Sequence, residues 1–168
     1  MPADKISIDR IKLLHPSVRQ EALDIYNHIN EKLLGKGVRL RFAYTYRSPE
    51  EQHQLFLQRP KVTNADSWQS IHQYGLAIDF VLLYDKNGDG TFETASWDLK
   101  IDGDKDGKSD WMEVVNYFKS MDWEWGGDWK FKDYPHFQKT FGLTWQGMKK
   151  KIDTGDYKTE NGIKYINL

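Results

Sequence analysis

Apolar residues along this chain repeat with several periods, and each period predicts an element. Val18, Ala22, Ile25, Ile29 and Leu33 recur at helical spacing. Pro16 suits a first helical turn and Gly35 a stop, so a helix is predicted from Pro16 to about Leu34. His28 lies off the apolar stripe and reads as a surface residue. The preceding residues 1–15 read as a polar lead carrying Ile6, Ile8, Ile11, Leu13 and Leu14. Val38, Leu40 and Phe42 alternate with Arg39, Arg41 and Ala43, the pattern of a half-buried strand. Ser48-Pro49-Glu50-Glu51 starts a second helix, with Ser48 as N-cap and Glu51 closing a capping box; it ends near Gln58, before Pro60. Residues 60–69 read as a loop. Leu76 to Leu83 is almost wholly apolar, as in a strand buried on both faces. Residues 84–110 are dense in Asp and Gly. Ser109 or Asp110 then caps a helix over roughly 111–120, with Met112, Val115 and Phe118 facing inward. Trp123-Glu124-Trp125 and His136-Phe137-Gln138 read as short strands, separated by Gly126-Gly127 and a loop from Asp128 to Asp133. Beyond Gly142, Lys149, Lys150 and Lys151 mark a solvated helix face, followed by a polar end.

The 168 residues fit one domain. Basic and acidic side chains nearly cancel, 24 against 25, which removes any broad electrostatic case for nucleic acid or an anionic membrane. Cys is absent, so a metal here must sit on His and carboxylates. No apolar run approaches the ~20 residues of a membrane span. Residues 1–20 lack a signal-peptide apolar stretch.

Candidate chemistry starts at Ser70-Ile-His-Gln-Tyr-Gly-Leu-Ala-Ile-Asp79. His72 and Asp79 can both bind a metal, and Gly75 permits a sharp turn between them. A carboxylate inside so apolar a strand is costly unless a charge neutralises it, and zinc meets that need. The segment Asp133-Tyr-Pro-His136 offers a third ligand. The alternative is a core strand with a capping His and a buried structural Asp. Arg47 stands at a strand-to-helix junction, where its side chain points either into a cleft or to solvent.

A second candidate lies in the Asp/Gly segment. Asp102-Gly-Asp104-Lys-Asp106-Gly107 continues through Asp110 to Glu113, matching D-x-D-x-D-G-x5-E, the EF-hand loop pattern for calcium. Asp102, Asp104 and Asp106 would offer side-chain oxygens, Lys108 its carbonyl, Asp110 a contact directly or through water and Glu113 a bidentate carboxylate. Asp85-Lys-Asn87-Gly-Asp89-Gly90 starts the same pattern but has Ser96 at the twelfth position. A strand or hairpin, not a helix, is expected to enter these loops. A solvated Asp/Gly turn is the alternative for both.

Ser70, His72, Gly75, Ala77 and Asp79 complete the pattern S-x-H-x-x-G-x-A-x-D. With Arg47 and His136 they resemble the VanY and D-alanyl-D-alanine carboxypeptidase-like zinc peptidases. Tyr46-Arg47-Ser48, Trp125-Gly126-Gly127-Asp128-Trp129 and Asp133-x-x-His136-Phe137 resemble more narrowly the L-alanyl-D-glutamate endopeptidase branch of phage endolysins and wall hydrolases. The likeness spans about residues 17–142, leaving 84–110 as an insertion and 143–168 as an extension of a single peptidase domain. It implies an α+β fold: a small, mainly antiparallel sheet with packed helices and zinc in a cleft, as in hedgehog domains. It implies His72, Asp79 and His136 as zinc ligands with one position open for water. Asp133 would be the base that takes the water's proton, with Glu124 and Asp128 as competing carboxylates. Arg47 would meet the developing oxyanion or clamp a stem-peptide carboxylate, supported by Gln52. Ser70 and Trp125 join them on the substrate side, with Trp129 as another wall candidate; core packing also explains either Trp.

The function implied is hydrolysis of the L-Ala–D-Glu bond of peptidoglycan stem peptides. A D-Ala-D-Ala carboxypeptidase or dipeptidase is the near alternative, and a non-catalytic zinc- and calcium-binding interaction domain the distant one. A monomer acting at the bacterial cell wall is expected, reached through a phage holin pore, by another export route or after loss of a leader.

Overall fold

The computed structural model describes residues 4–168. Among the described residues, five α-helices surround an antiparallel sheet, with a separate hairpin near residue 168. Helices α1 (Lys5–Ile11) and α2 (Pro16–His28) lead into strand β1 (Val38–Tyr44). Helix α3 (Pro49–Leu57) precedes β2 (Ala77–Tyr84) and β3 (Thr94–Ser96). Then come α4 (Asp110–Ser120), β4 (Glu124–Trp125), β5 (His136–Gln138), α5 (Trp145–Asp153), β6 (Tyr157–Glu160) and β7 (Ile163–Ile166). The α+β class with an antiparallel sheet is the one expected.

Strand β2 is the axis of the sheet. Residues 79–84 of β2 pair with β1, and its other edge is shared by β5 at residues 77–79 and by β3 at residues 82–84. Strand β4 adds outside β5. One face of β2 (Ile78, Phe80, Leu82 and Tyr84) joins Val38, Leu40 and Phe42 of β1 in the core. Helix α4 closes that core with aromatic rings. Trp111 lies 4.1 Å from the Phe80 ring, and Phe118 stacks on Phe137 at 4.1 Å. The strands that carry the candidate ligands are thereby fixed from behind, since Phe80 follows Asp79 and Phe137 follows His136.

The Ser48 capping box on α3 forms as expected, with Pro49 in the first turn. The predicted helix from Pro16 is α-helical only to His28, and a wider π-turn over Ile29–Leu33 completes it. Three expectations need correction. Residues 5–11 of the supposed lead are a helix, capped by Asp4, that buries Ile11. On α4 the inward residues are Trp111, Val114, Val115 and Phe118, while Met112 is only partly buried. The chain end is not simply polar: β6 and β7 form a hairpin that buries Tyr165 and Ile166. Its turn is Asn161-Gly162 with φ of 51° and 80°, the left-handed pair that a two-residue hairpin loop requires.

Candidate active site

Two local devices bring the three predicted ligands together. Ser70 caps a 3-10 turn over Ile71–Tyr74 by accepting the His72 backbone N–H, and Gly75 ends it at φ 68°. A Cβ at Gly75 would lie 2.6 Å from the His15 backbone nitrogen, so no side chain fits there. That turn delivers His72 to the start of β2. Asp79 then stands directly opposite His136 in the β2–β5 ladder, which puts both side chains on one face. One donor atom each from His72, Asp79 and His136 falls within 4.8 Å of the others. His72 Nε2 is 3.3 Å from Asp79 Oδ2, and His136 Nδ1 is 2.9 Å from Asp79 Oδ1. Ligand atoms around a tetrahedral zinc with bonds of 2.0–2.1 Å stand about 3.3 Å apart, so the spacing suits that ion.

Hydrogen bonds decide which ring nitrogens face inward. His72 Nδ1 donates to the Thr45 carbonyl at 2.6 Å, leaving the Nε2 lone pair toward Asp79. For His136 the relay is longer. Trp129 Nε1 and Gln138 Nε2 both donate to Glu124 Oε2, at 3.1 and 2.9 Å. The Gln138 amide is thus oriented with Oε1 toward His136 Nε2, 2.9 Å away. An oxygen there requires a proton on Nε2, which reserves Nδ1 for the ligand side. Burial works to raise the Asp79 carboxyl, but the charge on His72 and the His136 hydrogen bond outweigh it and hold the group far below the usual carboxylate range. Burial lowers His136, yet the Asp79 hydrogen bond and charge carry it above its ordinary value. The site therefore calls for positive charge between these side chains. Two imidazole lone pairs and an ionised carboxylate suit a zinc ion there.

An open cleft of about 300 Å³ lies over these residues, lined also by Arg47, Gln52, Ser70, Trp129, Asp133 and Gln138. Asp133 Oδ2 is 3.9 Å from His136 Nδ1, on a side chain half exposed to the cleft. Burial pushes its carboxyl above the ordinary value; the His136 charge opposes this and the Asp79 charge adds to it. Gly126 makes that placement possible. The Asp133 N–H donates to the Gly126 carbonyl at 3.0 Å, and a Cβ on Gly126 would meet the Asp133 carbonyl oxygen at 2.3 Å. Arg47 Nη1 donates to Gln52 Oε1 at 3.1 Å, and its guanidinium lies over the Tyr44 ring at 4.9 Å. Gln52 is buried and also bonded to Gln73 and the Ala65 carbonyl, so it braces Arg47 from behind.

The other candidates separate. Asp128 pairs with Lys119 at 2.8 Å, and Glu124 is engaged by Trp129 and Gln138. Trp125 is not on the cleft wall; it is buried, with its N–H on the Tyr134 carbonyl, and Trp129 lines the cleft instead. Ser70 acts on the His72 turn through its cap. Thr45 and Gln138 were not foreseen. Gln138 stands two residues from His136 in a strand, a spacing that places both side chains on one face.

The family model described as D-alanyl-D-alanine carboxypeptidase, of the M15 peptidases, matches residues 63–139, which hold His72, Asp79, Asp133 and His136. The peptidoglycan L-alanyl-D-glutamate endopeptidase CwlK of Bacillus subtilis is 44% identical over 131 residues, covering 74% of this chain and 72% of that protein. The chain belongs to the M15 metallopeptidase family. M15 peptidases are in general zinc-dependent. The Serratia marcescens L-Ala D-Glu endopeptidase ChiX shares the fold, with a TM-score of 0.52 at 22% identity over 81% of this chain and 87% of that one.

Both Asp/Gly loops gather carboxylates. Asp85, Asp89 and Glu93 converge in the β2–β3 connection; Glu93 was not singled out from the sequence. Asp102 and Asp104 converge with Asp110, and Asp104 and Asp106 with Glu113. Strand β2 enters the first loop, which joins it to β3, and the β2–β3 hairpin precedes the second, in keeping with the expected strand or hairpin.

Proposed function

We propose that this protein is a zinc-dependent endopeptidase that cuts the L-Ala–D-Glu bond of peptidoglycan stem peptides at the bacterial cell wall. The observation that carries this reading is the cleft in which the His72–Asp79–His136 group, the Asp133 carboxylate and the Arg47 guanidinium face one another. The 44% identity to a relative of that named activity supports the choice of bond.

His72 Nε2, Asp79 and His136 Nδ1 would hold the metal. When bound, zinc supplies a Lewis acid for the scissile carbonyl and acidifies water toward a pKa of ~7. Asp133 accepts the proton of the attacking water and returns it to the leaving amine. That double role needs a carboxyl within reach of the cleft, and Asp133 is half exposed there with Oδ2 3.9 Å from His136 Nδ1. Arg47, braced by Gln52, donates to the carbonyl oxygen as negative charge grows there. Trp129 forms an apolar wall beside His136, with ring centroids 5.2 Å apart. The Gln138 amide keeps His136 in one tautomer throughout.

The test compares wild type with Asp133→Ala on purified peptidoglycan. Asp133→Ala is expected to keep zinc and fold while losing ~10²–10⁴ in turnover. Wild-type turnover in that variant would remove Asp133 from the chemistry. A wild-type protein that binds zinc but leaves peptidoglycan intact would overturn the proposal in favour of a metal-binding interaction domain.

A further inference from the structure

We propose that the segment from Asp102 to Glu113 is a calcium site, holding one Ca²⁺ in an EF-hand-like loop entered by a hairpin and left by α4. Asp104 belongs to both carboxylate groups in this loop, Asp102–Asp104–Asp110 and Asp104–Asp106–Glu113, so the two groups adjoin through it. These are positions 1, 3, 5, 9 and 12 of the loop pattern, and Lys108 at position 7 would add its carbonyl.

Two buried oxygens distinguish this loop from an ordinary acidic turn. Asp110 is fully buried. Its Oδ2 accepts from the Tyr84 hydroxyl at 2.8 Å and the Gly103 N–H at 2.7 Å. Among the described residues, Oδ1 has no hydrogen-bond partner, and neither does the buried Oε2 of Glu113. An unpaired carboxylate oxygen away from water is costly unless a cation meets it. Oxygen ligands that include a bidentate Glu suit calcium better than magnesium, which demands a near-ideal octahedron. The loop at Asp85–Glu93 shows no such buried unpaired oxygen among the described residues, and no site is assigned there.

The ion would tie together three parts of the fold. Asp104 accepts the Gly35 N–H ahead of β1 at 2.9 Å, and Tyr84 at the end of β2 bonds Asp110 at the start of α4. Helix α4 in turn packs Trp111 on Phe80 and Phe118 on Phe137, behind Asp79 and His136. Calcium would thus brace the zinc-ligand strands from the opposite end of β2.

Titration calorimetry of the zinc-loaded full chain with calcium chloride tests this, with thermal unfolding alongside. The expected result is one equivalent bound with Kd below ~10⁻³ M and a melting temperature that rises with calcium. Glu113→Gln and the exposed Asp106→Asn should each weaken binding at least ~10-fold, while Asp85→Asn leaves it unchanged. Absence of both saturable heat and a thermal shift overturns the proposal. So does binding that survives Glu113→Gln but is lost in Asp85→Asn. Zinc content, measured in every sample, keeps this result separate from the fate of the zinc site.

Discussion

Replacing Gln138 with Leu removes the acceptor that sets the His136 tautomer and nothing that could itself touch a metal. The His136 side chain is only 8% exposed, so its Nε2–H loses a 2.9 Å partner with little access to water. Leaving such a donor unpaired costs about 1–3 kcal/mol. Flipping the ring to satisfy it elsewhere sacrifices the Nδ1 lone pair that faces Asp79. A metal on Nδ1 polarises the ring N–H, so the bond is worth more in the loaded protein than in the free one. The loss should therefore fall on zinc affinity, by ~10–100-fold, more than on the melting temperature of the metal-free chain. Competition with a chromophoric chelator measures that affinity. Gln138→Glu keeps an acceptor for the ring and should recover part of it, limited by repulsion from Glu124. Zinc binding by Gln138→Leu within a factor of about two of wild type would refute the tautomer argument.

Gly126→Ala would force a Cβ into the Asp133 carbonyl, at a cost of about 1–3 kcal/mol, and turnover should fall while zinc stays bound; unchanged kcat would mean that Asp133 tolerates displacement. Arg47→Ala is expected to lower kcat by ~10²–10³ with metal content intact, and unchanged kinetics would return Arg47 to a surface role. Burial works to raise the Asp4 carboxyl, but two 2.9 Å hydrogen bonds from Arg41 hold it below its ordinary value. Its contribution to stability is present above pH ~3.9 and is lost as pH falls through the lower folded value. Urea unfolding should show that acid loss in wild type and a flatter profile in Asp4→Asn.

The strands and the candidate His72–Asp79–His136 group are legible in the sequence because each rests on a local pattern. Alternation marks Val38–Phe42, capping marks Ser48–Glu51, and the His72–Asp79 motif carries its own turn at Gly75. Register follows from that local order once β5 pairs with β2. What escaped the sequence depends on tertiary partners. Helix α1 is only seven residues long, too short for a helical period to show, and it is held by Asp4, which caps it and binds Arg41 on β1. The rotation of α4 is set by ring packing on Phe80 and Phe137, which periodicity in one short helix does not specify. Gln138 matters through Glu124 and Trp129, on separate segments. The β6–β7 hairpin was missed although Asn161-Gly162 is a strong turn signal between alternating residues, because the charged surroundings read as a solvated tail.

Identification of the amine released by zinc-loaded enzyme from purified peptidoglycan, by amino-terminal labelling and mass analysis, tests the proposed activity most directly. The expected product carries a new amino terminus on D-Glu or D-isoglutamine, with L-Ala left on the sugar side. Free D-Ala as the sole product would contradict the assignment and place the enzyme among the carboxypeptidases.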